Sequence, residues 1–133
     1  MSHFTKVATK INNLQALLQT LQKKGYKFTH NEQGVEVRGY RGQKLNAEIS
    51  INMGTYDIGV VKAEDGNYTY VCDWWGVETT AGVTEEEFVE TVNKEYAYVR
   101  VVQACEEQGY QIAQEDIQQL EDGTVKLTAT KWG

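Results

Sequence analysis

The sequence predicts an α+β domain: one mainly antiparallel sheet with two helices packed on one of its faces. Two segments carry apolar residues at helical spacing. Most of the remaining segments alternate apolar and polar residues with period two, and Asp-Gly or glycine turns join them at hairpin distances, which favours antiparallel pairing. A chain of 133 residues is one ordinary domain, able to bury about two thirds of the surface its unfolded form would expose. No stretch rich in Pro, Gly and Ser divides it, so residues 1–133 are read as a single domain.

The opening "HFTKVATKI" reads as a strand. In the first helix Ile11, Leu14, Leu17, Leu18 and Leu21 share one side, with Gln15, Gln19, Gln22 and Lys23 on the other. Asn12 is its expected N-cap, Gln15 takes the capping-box position, and Gly25 ends it. "GYKFTHNEQGVEVRGY" then reads as two short strands about a turn at Gly34, and "AEISI" as another strand. "YDIGVVKAEDGNYTYVCDWW" is a hairpin whose Asp65-Gly66 pair suits a two-residue loop with positive φ angles. The second helix starts in "VTEEEF": Thr84 caps, Glu87 reciprocates, Val83 and Phe88 form a hydrophobic staple, and three glutamates meet the positive end of the helix dipole. Its apolar positions run through Val92, Tyr96, Val99 and Val102 to Cys105, with Gly109 beyond and room for a kink near Asn93. A second Asp-Gly, at 122 and 123, separates "IQQLE" from "TVKLTATKW" as a further hairpin.

An internal echo links these elements. "QTLQKKGYKF" (19–28) and "QACEEQGYQI" (103–112) share a glutamine, the Gly-Tyr pair and a helix-to-strand junction at one offset. Extended outward, the echo pairs "HFTKVATKI" with "YTYVCDWWG", so the sequence predicts a duplicated strand-helix-strand-strand unit with the 45–63 segment between the copies. A Gly-Tyr pair is also what a good helix end followed by a good strand former would produce without duplication.

Composition narrows the function classes. Nineteen acidic against 13 basic side chains leave a formal net charge of −6, which opposes nonspecific attraction to nucleic acid or anionic lipid and makes a basic partner surface electrostatically easier. No stretch approaches the roughly 20 apolar residues that cross a bilayer, and the N-terminus lacks the apolar run of a signal peptide, so a cytoplasmic or equivalent compartment is expected. Cys72 and Cys105 each lie in an apolar run and are read as buried free thiols rather than a disulfide or metal pair.

Several strings taken together carry a family resemblance: "MSHFTKVATKI" at the start, "VRGYRGQK" at 37–44, "YDIGVVK" at 56–62, "DWWGV" at 73–77, "EYAYVRV" at 95–101, and "DGTVKL" near the end. They resemble the hypothetical chloroplast reading frame thirty-five family of plastid genomes and cyanobacteria, also treated as a domain of unknown function. The similarity runs in one order over essentially the whole chain. It implies a photosynthetic lineage or its phages and a cytoplasmic or plastid-stromal location; it implies no catalytic residue, cofactor or substrate.

Two clusters are candidate sites. In "VCDWWGVE" two adjacent tryptophans cannot enter one core from the same face of a strand, since consecutive side chains point to opposite sides. Tyr68, Tyr70, Cys72 and Trp74 would share the helix-facing side, leaving Trp75 with Asp73 on the other. Trp75 then either covers the open face of the sheet beside Tyr56 or offers a partner platform with Tyr56, Asp73 and Glu78, Trp and Tyr being enriched at binding hot spots. The second cluster is "RGYRGQK", where Arg38, Arg41 and Lys44 surround Tyr40; it is either a solvated loop or a site that holds phosphates and stacks a base.

Reactive chemistry finds no template. His3 and His30, the only histidines, form no spaced ligand set with the cysteines; the serines, Ser2 and Ser50, lack a nucleophile context; and the glycines are scattered through turns rather than gathered ahead of a helix. No catalytic residue, metal or cofactor is assigned. The expected function is a non-catalytic protein-binding or adaptor module using Tyr56, Asp73, Trp75 and Glu78, with an anion- or RNA-binding module using Arg38, Tyr40, Arg41 and Lys44 as the alternative.

Overall fold

The computed structural model of the chain describes residues 4–111 and three later strand segments, 117–119, 125–127 and 130–131. β1 (Thr5–Ala8) leads into α1 (Leu14–Lys23), followed by β2 (Lys27–Arg38), β3 (Lys44–Asn52), β4 (Asp57–Lys62) and β5 (Tyr68–Cys72). Two helices come next, α2 (Trp74–Ala81) and α3 (Glu85–Glu107). Four short strands close the chain: β6 (Tyr110–Gln111), β7 (Ile117–Gln119), β8 (Val125–Leu127) and β9 (Thr130–Lys131).

Strands β1 to β5 form one antiparallel sheet in the order β1-β5-β4-β3-β2. The α+β class therefore holds, with three helices where the sequence predicted two. Period-two alternation explains the main core: Ile49 and Ile51 of β3, Ile58 and Val60 of β4, and Tyr68, Tyr70 and Cys72 of β5 gather with Leu17 and Leu21 of α1 and Phe88 and Val92 of α3. Phe88 is the hub of an aromatic group, its ring 5.1 Å from Tyr70, 5.6 Å from Tyr26 and 5.8 Å from Trp74.

The opposite face is partly closed as well. Gly59 turns its Cα toward that face, and a Cβ there would meet Val37 Cγ2 at 2.8 Å, the Val71 carbonyl at 3.2 Å and Ala47 Cβ at 3.3 Å. The outer half of the β2–β3 pair thus folds back over β4. At one end of the sheet the Phe4 ring, just before β1, lies against Gly39, just after β2, with no room for a Cβ between them.

Several local expectations change. "GYKFTHNEQGVEVRGY" is not two strands about Gly34 but one strand with a register shift between His30 and Val35, where Gly34 takes φ +115°. The first helix is capped by Asn13 rather than Asn12: the Asn13 side chain accepts the Ala16 N–H at 2.9 Å, while the Asn12 and Asn13 N–H groups donate to the Tyr96 hydroxyl. Two consecutive asparagines are equal as local caps, and the contact from α3 sets the boundary. The β4–β5 hairpin turns through Glu64, Asp65 and Gly66, with Gly66 N–H donating to the Ala63 carbonyl at 3.0 Å and only Gly66 at positive φ, so its loop has three residues rather than two. Thr84 caps α3 as predicted, accepting from the Glu87 N–H at 3.1 Å, and α3 runs unbroken past Asn93.

A duplication is not shown. β6 pairs with β9 and β7 with β8 in ladders separate from the five-stranded sheet, whereas the first helix is followed by strands within it. The predicted "IQQLE" hairpin agrees with the β7–β8 pairing; its Asp-Gly turn lies outside the described residues. Both cysteines are free thiols, Cys72 buried and Cys105 half-buried.

Candidate functional site

The tryptophan pair lies at a strand-to-helix junction. β5 stops at Cys72 because Asp73 leaves the ladder and caps α2, its Oδ1 accepting the Gly76 N–H at 3.1 Å. Beyond that point consecutive side chains diverge by about 100° rather than 180°, which overturns the reading of residues 73–75 as strand. Trp74 turns inward with Val77 and Ala81 and packs on Phe88. Trp75 turns outward with Glu78 and Thr79 and is 55% exposed, the one large hydrophobic side chain so exposed among the described residues.

Of the four candidate interface residues, the structure places two beneath the surface. Tyr56 is 8% exposed and its ring lies on Gly76; Asp73 is 2% exposed and holds the helix start. They shape the platform without presenting themselves to a partner, while Trp75 and Glu78, three apart on α2, form its outer side. Asp73 Oδ2 and Trp74 Nε1 are buried without a hydrogen-bond partner among the described residues. The neighbouring Cys72 thiol is pushed up by burial, with the Asp73 and Glu85 carboxylates adding to the shift.

The basic cluster is dispersed. Arg38 grips Asp57, with Nε 2.9 Å from Oδ2 and Nη2 2.8 Å from Oδ1, and donates to the Gly54 carbonyl at 2.7 Å. Its own backbone N–H also reaches Asp57 Oδ2, and Asp57, 5% exposed, lies on the closed-over face. The hydrogen bond to Asp57 raises the Arg38 guanidinium above its ordinary value. Lys44 pairs with Glu36 at 3.2 Å. Arg41 alone of the three cations makes no ion pair among the described residues; it stands in the tight turn Tyr40–Gly42 at φ 52°, its guanidinium 5.1 Å from the Tyr40 ring. Among the described residues no three His, Cys, Asp or Glu side chains converge to hold a metal ion, and no helix is long and apolar enough to cross a membrane.

One further sequence signal bears on the site. Residues 63–93 contain eight carboxylates and no Lys, Arg or His, whereas residues 1–30 contain five lysines and no carboxylate. The net charge of −6 is thus unevenly distributed, and the Trp75 corner with its exposed Glu78, Glu85, Glu86 and Glu87 belongs to the acidic stretch.

A family model described as Protein of unknown function (DUF1257) matches residues 18–128. The chain belongs to this family. DUF1257 membership agrees with the resemblance carried by "VRGYRGQK", "YDIGVVK" and "DWWGV". Over 99% of its length the chain is 30% identical to "Uncharacterized protein ycf35" of Guillardia theta and 28% identical to the proteins of that name from Cyanophora paradoxa and Pyropia yezoensis, covering 98% of each. No solved structure matches it. The DUF1257 relatives are named as uncharacterized.

Proposed function

We propose that this chain is a non-catalytic protein-binding module of the cytoplasm or plastid stroma, docking its partner on the outer side of α2 through Trp75 and Glu78. The observation that supports this reading is the 55% exposed Trp75 indole on a helix whose other side is locked into the core by Trp74 and Val77. A rigidly mounted tryptophan loses little conformational freedom on binding, and as an interface anchor contributes about 2 kcal/mol or more. The acidic residues nearby favour a basic surface around the pocket that takes the ring. The anion-binding alternative has less support, because Arg38 and Lys44 already have carboxylate partners.

The test is affinity capture from the native cell with the tagged full-length chain, with and without nuclease, comparing wild type, Trp75→Ala and Arg41→Ala. A protein recovered after nuclease, retained by Arg41→Ala, lost with Trp75→Ala, and binding the purified chain directly in calorimetry supports the module. Capture indifferent to Trp75→Ala, or recovery of RNA alone, overturns it.

A further inference from the structure

A second surface lies along the first strand, which carries Lys6. β1 is an edge of the five-stranded sheet, paired among the described residues only to β5. The Thr9 N–H donates to the Tyr68 carbonyl at 3.2 Å. Antiparallel ladders alternate, so Thr5 and Val7 also face β5, while Lys6 and Ala8 direct their N–H and C=O groups away from it. This free edge opens at Ala8 into a groove of about 550 Å³ lined by Thr9, Lys10 and Ile11 on one side and Asn93 and Tyr96 of α3 on the other. Tyr96 is held as a wall by its hydroxyl, which accepts from Asn12 and Asn13.

Charge selects the occupant. Lys6 shares a face with its ladder neighbour Val71, and Lys10 lines the groove on the α3 side. Neither makes an ion pair among the described residues, and the nearest carboxylate in sequence is Glu32. We propose that the β1 edge receives an extended acidic segment of a partner protein by strand addition, with Lys6 and Ala8 supplying the backbone hydrogen bonds and Lys6 and Lys10 the charge. Backbone pairing gives such a segment its register and the flanking cations its selectivity. A second copy of the chain fits less well, since two β1 strands paired about Ala8 would set Lys6 opposite Lys10. This surface is independent of the Trp75 platform and stands or falls separately.

The probe is a displayed library of random octapeptides selected on the full-length chain. The proposal expects selected peptides rich in Asp and Glu that slow hydrogen exchange of the Lys6 and Ala8 amides and whose binding weakens with salt. Ala8→Pro removes only an outward-facing N–H at an edge position that tolerates proline; it is expected to weaken the peptides about tenfold with an unchanged circular dichroism spectrum. Lys6→Glu combined with Lys10→Glu should abolish binding. If Ala8→Pro fails to fold, the exchange measurement on wild type decides alone. Selection that yields no acidic peptide, peptides that leave both amides unprotected, or protection arising from self-association without peptide overturns the proposal.

Discussion

The ring of Tyr56 lies directly on Gly76: a Cβ there would stand 2.6 Å from Tyr56 Cζ and 2.7 and 2.8 Å from Cε1 and Cε2. Gly76 sits inside α2, where alanine would ordinarily be preferred by about 1 kcal/mol. Here overpacking wins, because the ring is rigid and buried. Gly76→Ala is expected to destabilise the fold by about 1–3 kcal/mol, read from urea unfolding. In a Tyr56→Ala background the same change should become neutral or stabilising.

The two tryptophans should behave as opposites. Trp74→Ala removes a ring packed on Phe88 and should cost about 3 kcal/mol or more. Trp75→Ala removes a ring that is 55% exposed and should stay within about 1 kcal/mol of wild type. Thermal melts of both variants check this, and equal losses would contradict the junction geometry.

Arg38 and Lys44 both pair with carboxylates, yet their environments differ. Glu36 and Lys44 are each more than half exposed, so Lys44→Ala should change stability by less than about 1 kcal/mol. Asp57 is buried and accepts three hydrogen bonds from Arg38. Arg38→Ala leaves that carboxylate with the backbone donor alone, and is expected to cost about 1–3 kcal/mol. Arg38→Lys should recover only part of it, since an ammonium cannot span both oxygens and reach the Gly54 carbonyl.

Stability should fall at alkaline pH. Burial raises the Cys72 thiol above its ordinary 9.0 and the Tyr70 hydroxyl above its ordinary 10.0; Asp73 and Glu85 add to the first, Tyr26 and Tyr96 to the second. Both groups are neutral when protonated, so above these values the folded chain keeps protons that the unfolded chain releases. Their stabilising contribution is complete below about pH 9 and declines as pH rises, by about 1.4 kcal/mol per pH unit for each group once its unfolded form has ionised. Urea unfolding along a series from about pH 7 to about pH 11 should show the decline begin later in Cys72→Ala and become shallower above about pH 10 in Tyr70→Phe. Tyr70→Phe also removes a buried hydroxyl with no partner among the described residues, so it should be no less stable than wild type at neutral pH.

Elements governed by local periodicity were legible in the sequence. Leu17 and Leu21 on α1, Thr84 ahead of "EEE", and the alternation through "YDIGVV" each carry their own cause within a few residues, and each forms as predicted. The failures share another origin. "NEQG" reads as a turn because Asn and Gly favour one, but β3 continues alongside and absorbs those residues as an irregularity in a single ladder. "CDWW" continues the alternation of β5 in composition, but Asp73 can equally begin a helix, and the space above Tyr56 and Phe88 chose the helix.

The candidate site divides along the same line. Trp75 and Glu78 come onto one side only because residues 74–81 form a helix, whereas the charge segregation around them was readable in the chain as written. That Tyr56 and Asp73 lie beneath them, and that Asp57 holds Arg38 across 19 residues, was not. By itself the sequence determined the class of fold, the antiparallel pairing, the Thr84 cap of α3 and the uneven charge, all set by neighbours within one or two turns of chain. Only the tertiary structure decided which ring was buried, which cations were spent in ion pairs and how the sheet curled over Gly59, because those outcomes depend on which distant side chains compete for the same volume.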